Sequence, residues 1–150
     1  MFARAIVRSV PETISAGLTT AELGTPDAEQ AREQHRRYIA ALEECGLEVT
    51  VLDADERYPD SVFIEDTAVV TDRCVIVTNP GATERRDEVH EVEKALAGLY
   101  GDVERITPPG TLDGGDVLQV GDHFFIGLTQ RTNREGAGQL AAILQGHGFG

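Results

Sequence analysis

The sequence around Asp66 can be laid over the sequence around Asp116 at an offset of 50 residues, and the downstream segments then fall into step. TAVV at 67–70 sits over VLQV at 117–120, Cys74 over Phe124, Asn79 over Thr129, and Val89 and Val92 over Gln139 and Ala142. Each copy reads strand, strand, helix, strand. Residues 1–55 supply the tail of the same unit, so the repeat occurs roughly two and a half times. A unit of this size cannot bury its apolar face alone, which restricts the chain to arrays in which neighbouring units complete one another, such as propellers or solenoids.

Local patterns supply the elements. ARAIVRSV reads as a strand and PETISAGLTTAELGTP as a long loop. The helix TPDAEQAREQHRRYIAALEECGL has Thr25 as expected N-cap, Pro26 in its first turn and Gly46 at its end. LEVTVLDA, VFIEDTAVV and RCVIVTN read as strands, the last two separated by Thr71-Asp72. GATERRDEVHEVEKALAGLYG is a second helix, with Val89, Val92, Leu96 and Leu99 on its apolar side. DVERI is a short strand, GGDVLQV and HFFIGL pair around Gly121-Asp122, and RTNREGAGQLAAILQGHGFG is a third helix with a frayed Gly-rich end. After it the repeat calls for one more strand. Residues 1–150 are therefore expected to be a single, incomplete domain, truncated from a longer polypeptide.

The apolar content of 41% suits a domain with a real core, and 13 basic against 26 acidic residues give a net charge of −13. That charge repels nucleic acid and anionic membrane and suits a cationic small molecule. No run reaches the roughly 18 to 20 apolar residues of a bilayer span, and MFARAIVRSVPE lacks the features of a signal peptide. A cytoplasmic location is the expectation. Cys45 and Cys74 are too few for a disulfide framework and read as small buried hydrophobes. His35, His90, His123 and His147 read as surface residues.

The chemistry lies in acids at strand entrances. PDSVFIEDTAVV carries Asp60, Glu65 and Asp66 in an apolar setting, with no Lys or Arg nearer in sequence than Arg57 and Arg73. A buried carboxylate must find partners or take up a proton. Strand alternation would send Glu65 and Asp66 to opposite faces, which favours Asp66 for a shared pocket. LDGGDVL adds Asp113 and Asp116, for which turn capping is the plain structural alternative. Arg85 in GATERR and Arg131 in QRTN come after the strand pairs; they are either solvated or poised to clamp a carboxylate. Acids together with two arginines suit a ligand that is cationic at one end and a carboxylate at the other, as a basic amino acid is. A divalent-cation site at Asp60, Asp66, Asp113 and Asp116 lacks a compact ligand spacing. No phosphate loop, zinc spacing or dinucleotide fingerprint is present.

YPDSVFIEDTAVV, NPGATERRDEV, GTLDGGDVLQVGDHFFIGLTQRTNREGA and the N-terminal loop closely resemble the dimethylarginine dimethylaminohydrolase family, of the guanidine-modifying or pentein superfamily. The resemblance runs along the whole chain. It implies a pseudosymmetric α/β propeller of five ββαβ modules, of which this chain would hold about three. It implies that Asp66 pairs with a substrate guanidinium, with Glu65 in the same motif, and that Asp60 contacts the α-amino group. Arg85 and Arg131 would hold the α-carboxylate, Leu18 would act as a lid, Phe63 would line the pocket, and Asp113 would orient a catalytic histidine. The activity implied is hydrolysis of a methylated arginine to citrulline and dimethylamine, with no cofactor or metal and with a homodimer as one possible assembly. The four histidines and two cysteines present do not match the family's catalytic pair, so this chain by itself is expected to be inactive. The nearest alternatives are an arginine deiminase-like enzyme and a non-catalytic arginine-binding fragment.

Overall fold

The computed structural model describes residues 2–19, 24–100 and 103–150. The chain divides into two compact units, residues 1–64 and 65–150.

In the first unit, β1 (Arg4–Arg8) and β2 (Glu48–Leu52) pair in parallel, with Arg4 opposite Glu48 and Arg8 opposite Leu52. Parallel neighbours need a crossover, which α1 (Ala28–Glu44) provides. The helix begins later than its sequence implies. Asp27, not Thr25, is the N-cap, because its carboxylate reaches the Gln30 N–H at 2.7 Å. Gly46 ends it with φ of 85°, the left-handed conformation that favours glycine. The capping residue Cys45 is exposed, contrary to the sequence expectation, because α1 buries none of its residues and its end at 43–46 is exposed throughout. The loop before α1 contains a 3₁₀ turn, Glu12–Ala16; its residues 20–23 lie outside the described residues.

The second unit holds two copies of the repeat. β3 (Ala68–Val70) runs antiparallel to β4 (Val75–Val77), and β5 (Glu104–Arg105) adds in parallel on the other side of β4. Between β4 and β5 lie a 3₁₀ turn, Thr83–Glu88, and α2 (Val89–Tyr100). The tight β3–β4 turn is held by the Thr71 hydroxyl, which accepts from the Cys74 N–H at 2.8 Å. The next copy begins with β6 (Val117–Val120) and β7 (His123–Ile126), joined at Gly121 with φ of 62°. It ends in α3 (Arg134–Gly146), whose cap Asn133 accepts from the Gly136 N–H at 2.8 Å.

Cys74, Ile76, Ile106, Leu112, Leu140, Leu144 and Phe149 form the core here together with Val69. Each fully buried side chain of this size contributes about 1.5–3 kcal/mol. Phe149 corrects the reading of a frayed end. It is buried edge-on against Phe124, and the Gly150 N–H donates to the Asp122 carbonyl at 3.0 Å. Leu99 is 41% exposed, so the apolar stripe of α2 stops at Leu96. His90 and His123 are exposed as expected. His35 and His147 are half-buried, the His35 ring lying 6.2 Å from that of Tyr38 and His147 Nε2 lying 3.5 Å from Glu104. Among the described residues no helix is long and apolar enough to cross a membrane.

The largest departure from the sequence reading is at 62–70. Residues Ile64–Thr67 wind into a 3₁₀ turn, and only Ala68–Val70 is strand. Gly114–Asp116 makes the matching turn 50 residues on, before β6. The alternation argument for Glu65 and Asp66 therefore does not apply, since these residues are not in a pleated strand.

Candidate active site

The two matching turns of the second unit back onto each other, and glycine is what permits it. A Cβ on Gly114 would lie 2.1 Å from the Glu65 carbonyl oxygen. With that approach open, the Gly115 N–H donates to Asp66 Oδ1 at 3.1 Å. The Thr78 hydroxyl donates to the Asp66 carbonyl at 2.7 Å, so side chain and backbone of Asp66 are both held.

The other Asp66 oxygen, Oδ2, accepts from Arg85 Nη1 at 2.5 Å. Arg85 is only 4% exposed, which rules out simple surface solvation. Its Nε and Nη2 donate to Glu88, which is 5% exposed, at 3.1 and 2.8 Å. Burial by itself opposes the Arg85 charge, but the hydrogen bonds it donates to Glu88 and Asp66 outweigh that and hold its pKa above the ordinary arginine value. Glu88 lies within the quoted stretch NPGATERRDEV, but no role follows for it from the resemblance. The signal for it was an acid three residues after Arg85 at the mouth of a helix, on the same side of the turn.

Glu65 is exposed as a residue, yet burial of its carboxyl raises its pKa, and the Asp66 charge adds to the rise. A raised folded-state pKa means a contribution to stability that is full below the unfolded value of roughly 4.3 and is lost as pH rises through the folded value. Glu65→Gln should therefore leave the urea midpoint unchanged near pH 3 and raise it at pH 7. Equal midpoints at both pH values would show that Glu65 carries no such penalty.

Asp113 is 4% exposed and accepts from the Gly81 N–H at 2.9 Å and from Arg131 Nη1 at 3.2 Å. It stands at the cap position of the Gly114–Asp116 turn, but its side chain makes no capping bond there. Asp116 is used differently, its Oδ2 accepting the hydroxyls of Thr129 and Thr132 at 2.8 and 2.6 Å. Asp66 with Arg85, and Asp113 with Arg131, are thus two ion pairs that join groups expected to have separate roles. Among the described residues no group of three or more His, Cys, Asp or Glu is gathered to hold a metal ion.

In the first unit, Asp60 is 8% exposed and accepts the Leu18 N–H at 2.9 Å. The contact is close. A Cβ on Gly17 would fall 2.6 Å from Asp60 Oδ1. Leu18 and Phe63 are both 46% exposed. In the second unit, Cys74 is walled in, its sulfur 3.4 Å from the Thr71 hydroxyl, as expected of a structural cysteine.

A family model described as N,N dimethylarginine dimethylhydrolase, eukaryotic, matches residues 20–147. The chain belongs to this dimethylarginine hydrolase family. It is 50% identical to the N(G),N(G)-dimethylarginine dimethylaminohydrolase of Pseudomonas aeruginosa, over 99% of this chain and 59% of that protein. With the enzyme of the same name from Streptomyces coelicolor the identity is 41%, over 95% of this chain and 55% of the relative. The chain therefore spans somewhat under three-fifths of the length of these family members. Among solved structures, a Pseudomonas aeruginosa mutant complexed with citrulline superposes with a TM-score of 0.98 at 49% identity, covering 99% of this chain and 59% of that one. The N-terminal domain of ArgZ, an arginine dihydrolase, superposes with a TM-score of 0.83 at 18% identity, over 97% of this chain and 55% of that one, which speaks for the fold alone. The fold is the α/β, pentein-type fold that the repeat and the family motifs led one to expect.

Proposed function

We propose that this chain carries the guanidinium-recognising part of a hydrolase that converts N,N-dimethylarginine to citrulline and dimethylamine. The observation that carries the reading is Asp66, held by the Gly115 N–H and Arg85 at the entrance of β3. A carboxylate fixed in this way is a preorganised partner for a planar cation, because no side-chain ordering remains to be done when the ligand arrives. Glu65 adds negative potential beside it. Arg131, whose side chain is 38% exposed, is the donor for a ligand carboxylate, since the guanidinium fork matches its geometry. Arg85 is enclosed, with its Nε, Nη1 and Nη2 engaged by Glu88 and Asp66, and serves the site through them. Asp113 is the acid that would orient a catalytic histidine. In the first unit, Asp60 is the acceptor for an α-amino group, Leu18 a cover and Phe63 an apolar contact.

In the full reaction a cysteine thiolate adds to the guanidinium carbon and forms the S–C bond. The C–N bond to dimethylamine then breaks as a histidine protonates the leaving nitrogen, and water cleaves the S–C bond to release citrulline. Neither Cys45, on a solvent-facing helix cap, nor Cys74, enclosed in the core, is placed to be that thiolate. The chain by itself is therefore a binder and not a catalyst.

Two measurements on the purified 150-residue chain test this. Isothermal titration should detect N,N-dimethylarginine binding that Asp66→Ala weakens at least tenfold, the scale of one charge-assisted contact. A citrulline assay should register no turnover. Unaltered binding in Asp66→Ala would remove the site, and turnover that Asp66→Ala abolishes would remove the claim of inactivity.

A further inference from the structure

Glu88 ends the 3₁₀ turn that begins at Thr83, and it meets Arg85 from the side opposite Asp66. Both Glu88 carboxylate oxygens accept from Arg85 Nε at 3.1 Å, and Oε2 also accepts from Nη2 at 2.8 Å. Nη1 is the guanidinium nitrogen directed at Asp66. This two-against-one arrangement fixes the plane of the fork, which a single exposed carboxylate would leave free to turn.

Charge counting gives the arrangement a consequence. Were Arg85 paired with Asp66 alone, the two would neutralise each other, and Asp66 would have little charge left to offer. With Glu88 as the second partner, the three side chains sum to one negative charge. Glu88 is almost fully enclosed and Asp66 is the more open carboxylate of the two, with side-chain exposures of 3% and 18%. The surplus is therefore presented at Asp66.

We propose that Glu88 is a positioning residue: it neutralises and orients Arg85 so that Asp66 keeps its negative charge for the cationic group of a ligand. The inference rests on the proposed function, in which Asp66 pairs with a guanidinium. It adds that Asp66 can do so only because a second, hidden carboxylate holds the neighbouring arginine.

The test compares two ligands that share the amino acid end and differ at the other. N,N-dimethylarginine carries a cationic guanidinium, whereas the ureido group of citrulline is uncharged. Titrated against the 150-residue chain, Glu88→Gln should weaken dimethylarginine binding about tenfold and leave citrulline binding within about twofold. A purely structural role would weaken both ligands alike, and that result, or no change for either, overturns the proposal. Glu88→Asp keeps the charge at shorter reach and should give the same ordering with a loss of about threefold, which provides the decision if Glu88→Gln does not fold. Equal losses for both ligands in Glu88→Asp would likewise overturn it. A wild-type chain that binds no dimethylarginine removes the Asp66 reading, and this inference with it. Wild-type binding that Glu88 variants do not alter removes the Glu88 role alone.

Discussion

Arg85→Met should cost the chain about 3–5 kcal/mol at pH 7, the usual penalty for removing one partner of a buried ion pair. The reason is what it leaves behind. Glu88 is 5% exposed and Asp66 loses its closest cation, so two carboxylates are left beside an uncharged Met side chain. Each would then have a folded-state pKa raised by burial and by the other's charge. Stability contributed by such a group is present below the unfolded pKa and lost as pH rises through the folded one, so the penalty should fade as pH falls towards roughly 4. Urea midpoints of wild type and Arg85→Met at pH 4 and pH 7 measure both effects. Adding Glu88→Leu to Arg85→Met should recover part of the loss, because replacing a buried pair by apolar groups is often neutral. A pH-independent difference, or one below about 1 kcal/mol, would mean that Arg85 does not hold the two acids together as a buried ion pair.

Two glycine-to-alanine changes should have opposite signs. Gly114→Ala puts a methyl group 2.1 Å from the Glu65 carbonyl oxygen and 3.2 Å from that of Ala68, and backbone cannot rotate aside as a side chain can. The Gly114 turn and the Glu65 turn must then separate, which breaks the Gly115 N–H contact to Asp66. The expected loss is about 3 kcal/mol, at the upper end for overpacking, together with the dimethylarginine affinity. Gly138→Ala lies within α3, where an added Cβ meets nothing within 4 Å, and should gain about 0.5–1 kcal/mol through helix propensity alone. Thermal midpoints of the two variants decide it. Shifts of the same sign would show that the close approach of the two turns does not hold in solution.

Much of the second unit was legible in the residues. The 50-residue offset placed the Ile64–Thr67 turn over the Gly114–Asp116 turn and the β3–β4 pair over β6–β7, because a repeated unit repeats its apolar spacing and its turn residues. Val89, Val92 and Leu96 were found at helical spacing and are buried on α2. Boundaries were less legible. The α1 cap moved from Thr25 to Asp27, since several residues in TPD can cap and only the geometry of the first turn chooses among them. VFIEDTAVV passed for a strand because its composition is that of one, but the Asp66 backbone and carboxylate find their partners in a turn, and those bonds outweigh β propensity. For the candidate site, Asp66, Asp113, Arg85 and Arg131 were visible as charged residues at element entrances. Their pairing was not. Glu88 was missed altogether, because an acid on a helix entrance looks like a solvated one until its burial is known.

From the residues alone came the repeat, the family and the set of charged groups available for chemistry, since these depend on residue type and on spacing along the chain. Which carboxylate faces which guanidinium, and how much net charge is left at Asp66, depended on contacts in space: Arg85 meets Glu88 three residues on and Asp66 nineteen residues back, and Arg131 meets Asp113 eighteen residues back. Coulomb energies and close approaches such as that of Gly114 to Glu65 depend on distances in space, and those exist only once the chain has folded.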